Sequence, residues 1–106
     1  MIHKAFFGDA ERTFALPPEL MIELERKTGT GIGGLCRRVF DGQFSLSDIS
    51  ETIRLALVGG GTTPADALSL VEAYALKRPL LETFPLAVAI LETVWFGEAS
   101  KDPANG

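Results

Sequence analysis

The sequence predicts a mainly α fold, with a short N-terminal β-hairpin packed on a compact bundle of about five short helices. Three observations carry this. Apolar residues recur at helical spacing in separate stretches from Pro17 onward. Gly and Pro fall between those stretches, where helices stop and start. Strand-like runs are confined to the first 16 residues.

Ala5-Phe6-Phe7 and Thr13-Phe14-Ala15-Leu16 read as strands, with turn residues Gly8 to Glu11 between them. Phe14 and Leu16 fall on one face and Thr13 on the other, so the hairpin has an apolar side that must pack on something. Pro17-Pro18 opens the first helix, where a missing N–H costs nothing. Its apolar stripe is Leu20, Met21 and Leu24, Glu23 and Lys27 have i,i+4 spacing, and Gly29 is a natural stop. The glycines from Gly29 to Gly34 read as a flexible joint. In the second helix Ile32, Leu35, Cys36, Val39 and Phe40 follow the i, i+3, i+4, i+7, i+8 template, with Arg37, Arg38 and Asp41 on the other face. Gly42 ends it.

Ser45 and Asp48 have capping-box spacing at the start of the third helix. Its expected buried stripe is Leu46, Ile49, Ile53, Ala56 and Leu57, with Asp48, Glu51 and Arg54 outside it. Gly59-Gly60-Gly61 ends it by permitting positive φ. Thr63-Pro64 is an N-cap and first-turn proline. The fourth helix is expected to run to about Lys77, with Ala67, Leu68, Val71, Tyr74 and Ala75 inward. The fifth begins near Leu80 and reaches Trp95 or Phe96. Pro85 predicts a kink, or a fresh start capped by Thr83, because its ring clashes with the carbonyl of Leu81. From Leu86 to Trp95 this helix is apolar almost all round, which predicts a central helix or one shared with a partner. Residues 1–97 are read as one globular domain, the hairpin over 1–16 and helices over 17–97. Residues 98–106 are read as a polar tail.

The chain has 106 residues, 46% of them hydrophobic, which suffices for a single core and excludes extensive disorder. Ten basic residues against 14 acidic ones give a net charge of −4, which counts against a nucleic-acid partner. The basic doublets Arg26-Lys27, Arg37-Arg38 and Lys77-Arg78 lie near helix ends, where they complement the helix dipole. One cysteine excludes an internal disulfide and fits a cytosolic protein. No run has the apolar length of a signal peptide or membrane span.

Motifs with chemistry are weak. Gly29, Gly31 and Gly34 spell G-x-G-x-x-G, but a helix precedes them and no βαβ unit surrounds them. Gly59 to Thr63 lacks the lysine of a phosphate loop. Cys36 adjoins two arginines yet sits on an apolar stripe, and His3 is the sole histidine. One Cys and one His do not make a metal site. Glu19 and Glu23 share a helical face, where solvated carboxylates are the ordinary outcome. No nucleophile–base set, cofactor or metal is implied, so the reading is non-enzymatic. Tyr74, Phe84, Trp95 and Phe96 cluster in the C-terminal half, as core or as a binding surface.

The residues Leu20–Gly29 (LMIELERKTG), Leu35–Gly42 (LCRRVFDG), Asp48–Gly61 (DISETIRLALVGGG), Thr63–Leu70 (TPADALSL) and Arg78-Pro79-Leu80 together carry a resemblance. The chain resembles the small tail-assembly-chaperone-like proteins encoded in the tail modules of gene transfer agents and related siphophages. Pro85 departs from that family's last helix, which is usually continuous there. The resemblance implies a bacterial cytoplasmic assembly factor that holds the tape measure protein and helps recruit tail-tube subunits. It leaves open a homo-oligomer and, since relatives are also named as tail tube proteins, a minor structural role in the tail of a virion-like particle. On this reading Tyr74, Phe84, Leu91, Trp95 and Phe96 form or border the partner-binding surface, used in a helix-in-groove contact.

Overall fold

The structure is a computed structural model that describes residues 2–97; the polar tail expected over 98–106 lies outside the described residues. Strands β1 (Ile2–Phe7) and β2 (Ala10–Ala15) precede helices α1 (Pro18–Thr28), α2 (Ile32–Phe40), α3 (Leu46–Gly59), α4 (Pro64–Tyr74) and α5 (Leu80–Phe96). This is the mainly α architecture with a hairpin that the sequence predicts.

The strands pair antiparallel, from Phe7↔Ala10 to Ile2↔Ala15. The turn is tighter than expected and the strands correspondingly longer. Gly8 takes φ 74°, so Gly8-Asp9 suffices to reverse the chain. Phe7 and Phe14 face the helices and meet edge to face, their ring centroids 6.1 Å apart. Phe6 points the other way and is 72% exposed.

Helix α3 occupies the centre. It is packed against β2, α1, α4, α5 and α2, and Ile49, Ile53, Leu55, Ala56 and Leu57 are all buried. Its start is the predicted capping box: Ser45 Oγ accepts from the Asp48 amide at 3.1 Å, and Asp48 Oδ2 accepts from the Ser45 amide at 2.9 Å. Two expectations about this helix are corrected. Leu46, placed in the stripe, is 54% exposed, while Asp48 and Ile49 supply the buried side of the first turn. Asp48, placed outside, is fully buried.

Burial of Asp48 is compensated from α2. Arg38 grips its carboxylate with two hydrogen bonds, Nε to Oδ2 at 2.8 Å and Nη2 to Oδ1 at 2.7 Å. Burial by itself would raise the Asp48 pKa. The Arg38 fork, the Ser45 amide and hydroxyl and the Arg38 charge together outweigh it, so the carboxyl lies below its ordinary value. Arg38 therefore clamps α2 to the start of α3, a role that position near a helix end did not reveal.

The glycines divide by function. Gly29 and Gly42 adopt φ 74° and 75° and close α1 and α2 as expected. After α2 the Gln43 and Gly42 amides return to the Arg38 and Val39 carbonyls, which is a Schellman closure. In the triple glycine only Gly61 takes positive φ, 111°. Gly59 and Gly60 are needed for close approach: a Cβ at Gly59 would lie 1.9 Å from the Ala15 carbonyl oxygen, and one at Gly60 would lie 1.9 Å from that of Thr13. The end of α3 thus rests directly on the outer edge of β2.

Other local expectations shift for identifiable reasons. The joint is shorter, since α2 begins at Ile32 and takes Gly33 and Gly34 into its first turn. The cap comes from α1, where Glu25 Oε2 accepts from the Ile32 amide at 2.8 Å. Glu23 pairs with Arg26 and not with Lys27. Helix α4 ends at Tyr74, short of Lys77, and Leu68 is 48% exposed because Ala67 and Val71 supply its inner face. The Thr63 cap holds, its hydroxyl accepting from the Asp66 amide at 3.2 Å.

Helix α5 runs unbroken through Pro85. Thr83 starts no new helix; its buried hydroxyl donates to the Leu80 carbonyl at 3.5 Å. The Leu81 carbonyl loses its partner to the proline. Leu81 and Pro85 are both exposed, so water can satisfy that oxygen. The last helix is therefore continuous despite Pro85. It is also not central: Thr83, Ala87, Ile90 and Leu91 are buried and the remainder is partly or fully exposed.

Candidate partner-binding surface

Helix α5 packs on α3, α2 and β1 through one face. Its outward face runs Leu81, Pro85, Val88 and Ala89, Glu92, then Trp95 and Phe96, the spacing of a single helical stripe. Leu81 is 85% exposed, Trp95 52% and Phe96 58%. The stripe extends for about 22 Å at 1.5 Å per residue, interrupted by one charge at Glu92. An apolar face of this length is more than the scattered exposure ordinary on a soluble domain.

The C-terminal end of the stripe opens into a cleft of about 270 Å³ between α5 and α2, lined by Arg37, Phe40, Asp41, Trp95 and Phe96. Trp95 stands edge to face against Phe40, centroids 6.4 Å apart at 87°. Gly33 lies beside the indole, where a Cβ would make ordinary van der Waals contact with the ring at 4.0 Å. Arg37 and Asp41 place one charge of each sign at the rim, while Arg38 is turned inward to Asp48.

The five residues singled out from sequence do not form one patch. Trp95 and Phe96 sit together at the cleft. Tyr74 lies at the opposite end of α5, where it meets Phe7 edge to face at 6.1 Å. Its ring covers Gly8, at which a Cβ would lie 2.7 Å from Tyr74 Cδ2. A hollow of about 400 Å³ there is closed on one side by the Arg78–Glu82 pair. Phe84 is half-buried and stacks on Phe44 at 5.0 Å. Leu91 has no exposed surface and belongs to the core. Sequence reasoning missed Phe40 and Leu81. A helical wheel drawn from Leu81 would have found the last, since it shares a face with Trp95.

Among the described residues no group of three or more His, Cys, Asp or Glu side chains could hold a metal ion. Cys36 is fully buried, and burial pushes its thiol up to about 11, far from a reactive thiolate. No helix of the described residues is long and apolar enough to cross a membrane.

The fold is thus a small helical domain whose last helix keeps an exposed apolar face among the described residues. The sequence model of the family described as "Phage tail tube protein, GTA-gp10" matches residues 2–97. The chain belongs to this family of gene transfer agent and phage tail proteins. No curated protein and no solved structure matches it.

Proposed function

We propose that the protein is an assembly chaperone or adaptor of a phage-like tail, one that holds the tape measure protein while the tail is built. Family membership supplies the tail context. The observation that carries the finer reading is the exposed stripe on α5 ending in the Trp95 cleft. A long helical client would lay its own apolar positions along that stripe at i, i+3, i+4 and i+7. Trp95 and Phe96 would be its anchors, because large aromatics concentrate binding energy. Tail-tube subunits are a second partner on this reading. The test is co-expression with the tape measure protein followed by pull-down. Co-purification supports the chaperone reading, and absence of any complex opposes it.

The family's own description favours a second reading, a structural subunit of the tail. The described residues contribute only two six-residue strands, little β-structure for a tube wall. Mass spectrometry of purified particles separates the two. Many copies per particle would mark a subunit, and absence from finished particles would mark an assembly factor.

A further inference from the structure

The two edges of the hairpin are treated differently. The two-residue loop makes Phe7 and Ala10 a hydrogen-bonded pair, and pairs alternate along the ladder from there. Phe6↔Glu11, Lys4↔Thr13 and Ile2↔Ala15 are consequently the non-bonded pairs, and their amides and carbonyls point away from the partner strand. On the β2 side this agrees with the approach of Gly59 and Gly60 to the Ala15 and Thr13 carbonyls, which covers that edge. Helix α5 packs near β1, but among the described residues no backbone approach like that of Gly59 and Gly60 is made to Lys4 or Phe6. Among the described residues the backbones of Lys4 and Phe6 have no hydrogen-bond partner outside the strand, and both residues are exposed.

We propose that the open edge of β1 pairs antiparallel with β1 of a second copy of this chain, about a two-fold axis at Ala5, joining the two hairpins into one four-stranded sheet. The outward groups on Lys4 and Phe6 set the allowed registers. An axis at Lys4 would put two ammonium groups opposite each other, the arrangement by which edge lysines block pairing. An axis at Ala5 instead puts Lys4 opposite the second copy's Phe6, twice by symmetry, with four backbone hydrogen bonds. Across the outer face each row then reads Glu11, Phe6, and the second copy's Lys4. That ammonium lies over the exposed Phe6 ring and reaches toward Glu11. In the single chain neither Lys4 nor Glu11 has an ion-pair partner among the described residues, so the contact supplies both with opposite charge.

Sedimentation equilibrium on the full chain tests this, with four variants. The wild type is expected to show a concentration-dependent monomer–dimer equilibrium. Phe6→Lys sets like charges opposite in both rows and is expected to weaken dimerisation about tenfold. Its own cross-strand neighbour is Glu11, so the hairpin itself is not harmed. Lys4→Glu combined with Phe6→Lys restores an opposite pair in both rows and is expected to recover the wild-type dimer. Lys4→Pro removes an outward N–H that the hairpin does not use and is expected to abolish the dimer with an unchanged circular dichroism spectrum. A monomer at every concentration overturns the proposal. So does a dimer that survives Phe6→Lys and is lost on Trp95→Ala, which would put the contact on α5.

Discussion

Helices α3 and α5 invert the usual relation between composition and burial. Helix α3 carries Asp48, Glu51 and Arg54, yet eight of its 14 residues are buried. Helix α5 carries only Glu82 and Glu92, yet four of its 17 are. The difference is one of position in the fold. Helix α3 is enclosed by β2 and all the other helices, so even polar Asp48, Ser50 and Thr52 are sealed in, with Arg38 and Ser45 satisfying Asp48. Helix α5 lies at the periphery, and its surplus apolar surface serves no internal contact. Apolar content beyond what the core uses supports the proposed partner surface.

The contrast can be broken at several points. The largest effects are expected from truncation at the centre. Ile53→Ala in α3 and Leu91→Ala on the inner face of α5 should each cost about 2–5 kcal/mol in urea unfolding, since both side chains are fully enclosed. Gly60→Ala should cost about 3 kcal/mol, because its methyl would meet the Thr13 carbonyl oxygen and lift α3 off β2. Arg38→Ala leaves Asp48 buried with its fork removed and should cost about 1–3 kcal/mol at neutral pH.

Acid probes the same pair. Asp48 has a lowered pKa in the folded protein, so its contribution is fully present above the unfolded value of about 3.9 and is lost as pH falls through the folded value. Stability measured from pH 6 down to pH 2 should decline less steeply in Arg38→Ala than in the wild type. The smallest effect on stability is expected at the periphery. Leu81→Ser should stay within about 0.5 kcal/mol of the wild type, because that side chain is almost wholly in solvent.

Local signals in the sequence located most element boundaries, because caps and stops act within one turn of chain. Ser45 with Asp48, Thr63 with Pro64, and Gly29 and Gly42 all behave as their chemistry dictates. What escaped was long-range. The Arg38–Asp48 clamp joins two helices, and Glu25 caps α2 from α1. The steric need for Gly59 and Gly60 depends on where β2 lies, which no window of sequence contains. The candidate surface was half legible. Aromatic clustering pointed to Trp95 and Phe96 but also to Tyr74 and Phe84, and helical spacing added Leu91, which is buried. Which face of α5 is outward depends on α3.

The central claim is that the outward face of α5 holds the tape measure protein. The decisive measurement is pull-down of the co-expressed tape measure protein by Trp95→Ala and by wild type, with urea unfolding of both. The account predicts a variant that folds with stability within about 1 kcal/mol of the wild type, since its indole is half in solvent, and that no longer retains the tape measure protein. Undiminished retention by a folded Trp95→Ala would contradict it.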